Sequence, residues 1–528
     1  MAHKEIRLML QGALVMTIAS FIAKLLSAVY RVPFQNLVGD EGFYVYQQVY
    51  PIYGIAMTLA LSGLPQFISK IVAEQETTSE KKLVLQRLFP FVSAVGLGCF
   101  LFFFFGSGWL AYLMGDIQLA SLIQVVSITF LLVPVLSFYR GNFQGHLLMT
   151  PSAVSQVLEQ VIRVGVILLA AGFFKSFRWN VYQTGTMAMG GAVLGGAAAV
   201  FSLWYYDRKI QPASSNYFIH WKIDKKGRQL FHRLFIEGGL VSLYSAFLIV
   251  FQLVDSFFIK NALVLSGMTD KAAKMDKGIY DRGQPLVQLG LVVALALSST
   301  FLPALTKYFI GKKDKQFNEA AKMFLRLTTT VASAASAGLL MLLPYINFAL
   351  FKDYKGNGVL GLYVFAIAFM AIIQAYQSIL QSKNNFKISF LAASAGILVK
   401  LLLTSIMTQR FGTVGSSLST IFALLVTQGV LMKMSDRKLN QFWQERNFLK
   451  KLLTGLGIMV IVLLIYQGIL GLIFGITAHR GLALIFALIG VGLGLTTFFF
   501  VIIQLRLFTV REWLMVPFGK KVLRMKKR

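Results

Sequence analysis

The chain has 528 residues and a mass of 58.7 kDa, with 56% hydrophobic, 13% aromatic and only 14% charged residues and a mean hydropathy of +0.68. A soluble globular chain carries about 25% charged residues, so a water-soluble enzyme and a disordered chain are both excluded, and an integral membrane protein is implied. The formal net charge of +30, from 51 Lys and Arg against 21 Asp and Glu, would suggest nucleic acid in a soluble protein but in a membrane protein reports first on which loops face the cytoplasm.

A bilayer-crossing helix needs about 20 mainly apolar residues, and fourteen segments meet that requirement. They are 6–30, 44–72, 86–113, 118–144, 151–174, 184–206, 233–261, 279–309, 318–350, 358–382, 385–409, 413–434, 449–475 and 480–506. Long continuous apolar runs without strand-like alternation make the expected fold all-α and polytopic. The first span runs past Lys24 to Arg31 with no small-residue cleavage site, so it reads as a retained helix. With the N-terminus inside, the cytoplasmic loops and tail hold about three times as many Lys and Arg as the opposite loops, which predicts that both termini are cytoplasmic. The richest contributors are residues 208–233, 307–326 and 433–451 and the tail from Lys520 to Arg528. None of the loops is long enough for a folded soluble domain. Cys99 is the single cysteine, so an intramolecular disulfide is excluded.

An internal repeat organises the spans. Asp40-Glu41-Gly42-Phe43-Tyr44 opens the second span, and Asp276-Lys277-Gly278-Ile279-Tyr280 opens the eighth, 236 positions later. Leu-Ala-Leu-Ser follows at the same distance in both, as Leu59–Ser62 and Leu295–Ser298, and a proline and a lysine close each copy, Pro65 and Lys70 or Pro303 and Lys307. An offset of six spans preserves orientation, which predicts a parallel repeat about an axis along the membrane normal. The expected plan is an N-lobe over 1–210, a basic cytoplasmic linker over 211–232, a C-lobe over 233–440, and two further helices with a basic tail over 441–528.

Charges inside spans need partners or water. Glu159 and Arg163, four apart on one helix, are expected to form a structural ion pair. Asp255 on the seventh span and Lys400 on the eleventh fall at similar depth, which predicts an ion pair that is either a buried bridge or an ion-coupling site. Asp281 can serve Arg282, whereas Lys24 and Arg31 have no acid within a turn. Surplus cations in a membrane cavity suit an anionic substrate, above all a phosphate or pyrophosphate, for which arginine offers a bidentate fork. Pro33, Pro51, Pro65, Pro285 and Pro303 fall in or beside the first, second and eighth spans, where they permit bending. Gly190, Gly191, Gly195 and Gly196 have the spacing of close helix packing, and Phe102 to Phe105 read as lipid-facing or packing material.

No phosphate loop, nucleophile elbow or outward cluster of catalytic acids is present, and the five histidines have no metal-ligand spacing. An enzyme is therefore not expected, and neither is a metal or other cofactor.

The fourteen spans and the stretches Tyr30-Arg31-Val32-Pro33, Gly39–Gln47 and Ser62–Glu74 resemble the MOP (MVF/MATE-like) flippase superfamily. Within it they resemble the MurJ/YtgP-like lipid II flippases and the stage V sporulation protein B-like polysaccharide-exporter branch. The resemblance implies a MATE-like architecture of two six-helix lobes plus two extra helices in the bacterial plasma membrane. It also implies a flippase carrying an undecaprenyl-pyrophosphate-linked saccharide, most simply lipid II, from inner to outer leaflet by alternating access. The implied alternatives are export of another envelope or spore-cortex precursor, or a drug/cation antiporter. Lys24, Arg31, Asp40, Glu41, Asp281 and Arg282 fall on the superfamily's cavity positions, although residues 52–60 lack the implied second-helix arginine. Coupling to Na+, H+ or the membrane potential is implied, and so is a lipid-tail groove on the last two spans. The expected partners are an anionic glycolipid, membrane lipids and the cell-wall synthesis machinery, with no nucleic acid.

Overall fold

The computed structural model describes residues 2–210, 225–474, 479–509 and 512, and every regular element among them is helical. Residues 211–224 of the expected linker and the basic tail from Lys520 to Arg528 lie outside the described residues. In chain order the first elements are α1 (Ala2–Val29), α2 (Arg31–Thr58), a π-helical turn (Leu59–Gly63), α3 (Leu64–Ala73), α4 (Thr78–Phe105) and α5 (Ser107–Leu113). They are followed by α6 (Ala120–Ser127), α7 (Thr129–Gly145), α8 (Met149–Ser176), α9 (Val181–Ile210) and α10 (Lys225–Arg233), then a second π-turn (Leu234–Gly238). Next come α11 (Gly239–Leu265), α12 (Asp270–Asp281), α13 (Gly283–Ile310), α14 (Asp314–Phe351) and α15 (Asn357–Ser382). The chain continues through α16 (Phe386–Met434), α17 (Arg437–Asn440), α18 (Phe448–Phe474) and α19 (Arg480–Gln504).

Among the described residues, twelve helical stretches are long and apolar enough to cross a membrane. Two of them are far longer than one crossing requires, Val15–Ala73 with 59 residues and Phe386–Met434 with 49. Each is interrupted by a glycine outside helical geometry, Gly39 (φ 73, ψ −176) and Gly412 (φ 59, ψ −147). A side chain is strongly disfavoured there, so these positions turn the chain without a loop. The expected fourteen crossings require counting each of these stretches twice. The turn also fixes the end of the first crossing: Arg31 stands eight residues before the bend, on the same side of it as α1, and Asp40 follows the bend at the start of the second crossing.

The repeat segment Leu59–Ser62 forms the π-turn, for a reason visible in the sequence. Leu64 N–H donates to Leu59 O, five residues back, so the carbonyl of Ala60 faces Pro65, which has no N–H to give. Arg140 Nη1 supplies the missing donor at 3.1 Å, and Ser137 Oγ reaches Leu59 O at 3.3 Å. The second copy, Leu295–Ser298, stays within the continuous helix α13. Its proline follows the serine by five residues, against three in the first copy, and so does not fall opposite the equivalent carbonyl. Pro51 and Pro303 sit inside helices, whereas Pro33 and Pro285 lie in first turns, where a proline costs little.

By packing the chain divides into one unit of 1–292 with 386–426 and a second of 293–385 with 427–528. These units cut across the lobes expected from span counting. Residues assigned to the C-lobe, on α11, α12 and the first part of α13, share ion pairs and close contacts with α2 and with 386–426, as between Arg282 and Asp40 or Lys400 and Asp255. In the first unit, Gly191 and Gly195 of α9 let α8 approach: a Cβ would stand 2.9 Å from Arg163 O and 2.6 Å from Glu159 O. Gly196 faces Leu132 of α7 instead, where a Cβ would stand 2.8 Å from its Cδ1, and Gly190 meets open space. Phe103 stacks on Phe130 at 5.1 Å while Phe102 and Phe105 are exposed, so that aromatic run both packs and faces outward.

In the second unit, α14 carries Lys322 and Arg326. Both bond Glu445, and Arg326 also reaches Glu512 at 2.8 Å. On the last two helices, Tyr466 donates to Phe486 O at 2.8 Å. Leu472, Ile473, Leu488 and Phe500 of the same helices are exposed, as lipid-facing residues are.

A buried charge cluster as the candidate functional site

The site residues on α2, α7, α8, α11, α12 and α16, with Arg282 between α12 and α13, collect in the first unit. Asp40, one residue past the Gly39 turn, receives Arg282 as a fork: Nε to Oδ1 at 2.9 Å and Nη2 to Oδ1 and Oδ2 at 2.7 Å each. Gln35 Nε2 adds a bond to Asp40 Oδ1 at 2.8 Å. Gly278 makes this approach feasible, since a Cβ there would stand 2.1 Å from Asp40 O. The two copies of the Asp-x-Gly-x-Tyr repeat therefore touch, which their spacing alone did not reveal.

Three pairings differ from the expectations. Asp281 bonds Lys277 at 2.6 Å, one turn back, and Arg282 turns to Asp40 instead. Glu159 pairs with Arg140 at 2.8 Å and not with Arg163. The π-turn explains that choice: Arg140 is already drawn to Ala60 O, and Glu159 balances the charge brought there. Arg163 Nη2 instead bonds Gln160 Oε1 at 2.7 Å and Ser27 Oγ at 3.3 Å.

Asp255 and Lys400 come together at 2.6 Å, both nearly inaccessible. Lys400 Nζ also donates to Thr420 Oγ1 at 2.6 Å and Ser419 Oγ at 3.3 Å, and Tyr280 OH donates to Asp255 Oδ2 at 3.2 Å. Lys400→Met would strand the Asp255 carboxylate. We expect a loss of about 3–5 kcal/mol, read as a lower thermal midpoint of the purified protein, and recovery in Lys400→Met/Asp255→Leu.

Lys24 is exposed on α1 and Glu41 is half-buried. Arg31 is fully buried, and its Nε, Nη1 and Nη2 meet no hydrogen-bond acceptor among the described residues. Its guanidinium lies 4.4 Å from the Tyr50 ring centroid and 6.0 Å from that of Tyr30. Arg163 lies 4.6 Å from the Tyr53 centroid and 5.3 Å from that of Tyr30. These tyrosines were missed by charge-directed reading, although Tyr46, Tyr50 and Tyr53 have the i, i+4, i+7 spacing of one helix face. Arg140 was missed because it lies near the end of its span, where a charge seems cheap. Among the described residues no group of three or more His, Cys, Asp and Glu could hold a metal.

Membrane-spanning helices around a buried charge cluster make this a multi-pass membrane protein, and its fold is that of solved MOP-superfamily structures. Residues 9–309 match the model of the family described as polysaccharide biosynthesis protein, and the chain belongs to that family. The uncharacterized membrane protein YabM of Bacillus subtilis (strain 168) is 35% identical over 522 residues, covering 97% of this chain and 95% of the relative. Lipid II flippase MurJ of the same organism is 24% identical over 445 residues, 79% of this chain and 81% of the relative. A solved structure of lipid II flippase MurJ in an inward closed conformation aligns with a TM-score of 0.69 at 16% identity, covering 93% of this chain and 99% of that one.

Proposed function

We propose that the protein is a flippase for an undecaprenyl-pyrophosphate-linked saccharide, with lipid II as the leading substrate, moved from inner to outer leaflet by alternating access. The observation that carries this reading is Arg31, a buried guanidinium in a membrane-embedded unit with all three nitrogens unpartnered. A fork of that kind recognises phosphate oxygens. The similarity to a protein named as a lipid II flippase points the same way. Lys24, Asp40, Glu41, Asp281 and Arg282 are proposed to assist, with Asp40 and Arg282 held together until substrate competes for the arginine. Export of a different envelope or spore-cortex precursor is the second reading, because a phosphate fork reads the linkage and not the sugar.

The protein is placed in the bacterial plasma membrane with both termini cytoplasmic, on the asymmetry of basic loops. The exposed apolar faces of α18 and α19 suit the lipid tail. Coupling to Na+, H+ or the membrane potential is assigned to the Asp255–Lys400 pair, and the cell-wall synthesis machinery is the proposed partner. Depletion of the protein is expected to make cells accumulate inward-facing lipid II. Accumulation of another undecaprenyl-linked intermediate would replace lipid II as the substrate, and normal translocation of all of them would overturn the reading.

A further inference from the structure

Lys400 of α16 enters a pocket whose polarity is that of a cation site. Its Nζ stands 2.6 Å from Asp255 Oδ1, 2.6 Å from Thr420 Oγ1 and 3.3 Å from Ser419 Oγ. Both hydroxyls give their protons elsewhere: Ser419 Oγ donates to Ser416 O at 2.8 Å, and Thr420 Oγ1 donates to the same carbonyl at 3.0 Å. A hydroxyl has one proton, so what each of them turns toward Nζ is a lone pair. Tyr280 OH donates to Asp255 Oδ2 at 3.2 Å and fixes the carboxylate from its other side. Lys400, Ser419 and Tyr280 are 0% exposed, and Asp255 and Thr420 are 2% exposed.

An ammonium has three N–H groups and no acceptor, which the three oxygens around Nζ match one for one. Hard metal cations also take oxygen lone pairs and a compensating carboxylate, so an acceptor-only pocket suits either kind of cation. A single carboxylate fits a single positive charge. A metal ion beside Lys400 would bring a second charge to it, in a place where charge is costly.

We propose that this pocket is a monovalent-cation site and that its resident is the chain's own ammonium. Lys400 occupies the place an alkali ion would take, so the wild-type protein binds no Na+ or K+ there, and Na+ is removed from the energy sources assigned to this pair. That last step rests on the transport reading; the occupancy of the pocket does not. A bridge that only holds helices together needs no acceptor-only lining, and it would not become an ion site when the lysine is shortened.

Wild type, Asp255→Asn, Lys400→Ser and Lys400→Ser/Asp255→Asn would be purified at full length in choline chloride. Their thermal midpoints and monodisperse yields would be followed on replacing choline with Na+ or with methylammonium at constant ionic strength. The wild-type midpoint is expected to stay level. Lys400→Ser is expected to start below it and to rise with either cation along a saturable curve, by about 2 °C or more, and the double variant to lose that response. A saturable Na+ response of the wild type that Asp255→Asn removes would overturn the proposal, because an alkali ion then shares the pocket with the lysine. No gain of midpoint or yield in Lys400→Ser with either cation would overturn it too, and would leave a structural bridge. Inward-facing lipid II accumulating on depletion, with wild-type translocation in proteoliposomes that stops without Na+, would keep the flippase reading and overturn the exclusion of Na+. Cation-responsive Lys400→Ser beside an unresponsive wild type, with no lipid-linked intermediate accumulating on depletion, would keep the pocket and remove the flippase reading.

Discussion

Glu159→Leu is expected to destabilise the protein by about 3–5 kcal/mol, the cost of leaving one partner of a buried ion pair unpaired. The pair is almost wholly inaccessible, with Arg140 Nη2 2.8 Å from Glu159 Oε2 and side-chain exposures of 0% and 4%. Arg140 cannot swing out to water, because Nη1 is bonded to Ala60 O and Nε to Ser155 Oγ at 3.1 Å. The measurement is the thermal midpoint of detergent-purified protein or the yield of monodisperse protein after mild heating. Removing both charges in Arg140→Met/Glu159→Leu should recover only part of the loss, since the Ala60 carbonyl is then left without a donor. Full recovery would show that the π-turn does not depend on Arg140. No loss in Glu159→Leu would show that another group balances the arginine.

Arg282→Ala is expected to abolish complementation in a depletion strain while the protein still reaches the membrane. The substitution removes the fork on Asp40, three contacts of 2.7–2.9 Å, and leaves that carboxylate with the Gln35 amide at 2.8 Å. Arg282→Lys keeps the charge but not the bidentate geometry, so growth should be intermediate. Gly278→Val probes the same junction sterically. A Cβ 2.1 Å from Asp40 O cannot be accommodated without moving α12 from α2, so loss of function should follow with Arg282 intact. Normal growth with Arg282→Ala, at normal protein level, would remove Arg282 and Asp40 from the working site.

The helical class and most span positions were legible because apolar length is a one-dimensional property that a bilayer selects directly. Individual charges were legible as costly for the same reason. Their partners were not, except Asp255 and Lys400, whose similar depth could be counted from helix starts. Glu159 and Arg163 show why such reasoning failed: four-residue spacing permits a pair on an isolated helix, but a nearer donor on another helix takes the acid first. That donor is fixed in place by a carbonyl that Pro65 cannot satisfy, which links a backbone irregularity on one helix to a charge on another. The Gly39 turn was equally hidden. Helix continuity on either side of a glycine leaves no polar loop to read, so the turn itself was invisible although Arg31 and Asp40 fall on the two sides of it that span counting gave them.

The net charge of +30 was fixed by composition. Composition and periodicity alone determined that this chain lives in a membrane, that it is built of helices, and that a few cations lie where charge is expensive. Tertiary structure decided which of those cations are spent on structure and which are left over. Arg140, Arg282, Lys277 and Lys400 are paired with acids from elsewhere in the fold or one turn away, whereas Arg31 and Arg163 keep guanidinium nitrogens without hydrogen-bond partners among the described residues. The physical reason is that hydropathy is summed along the chain, whereas charge compensation acts over about 3–4 Å in three dimensions. Distance between side chains is set by how helices pack.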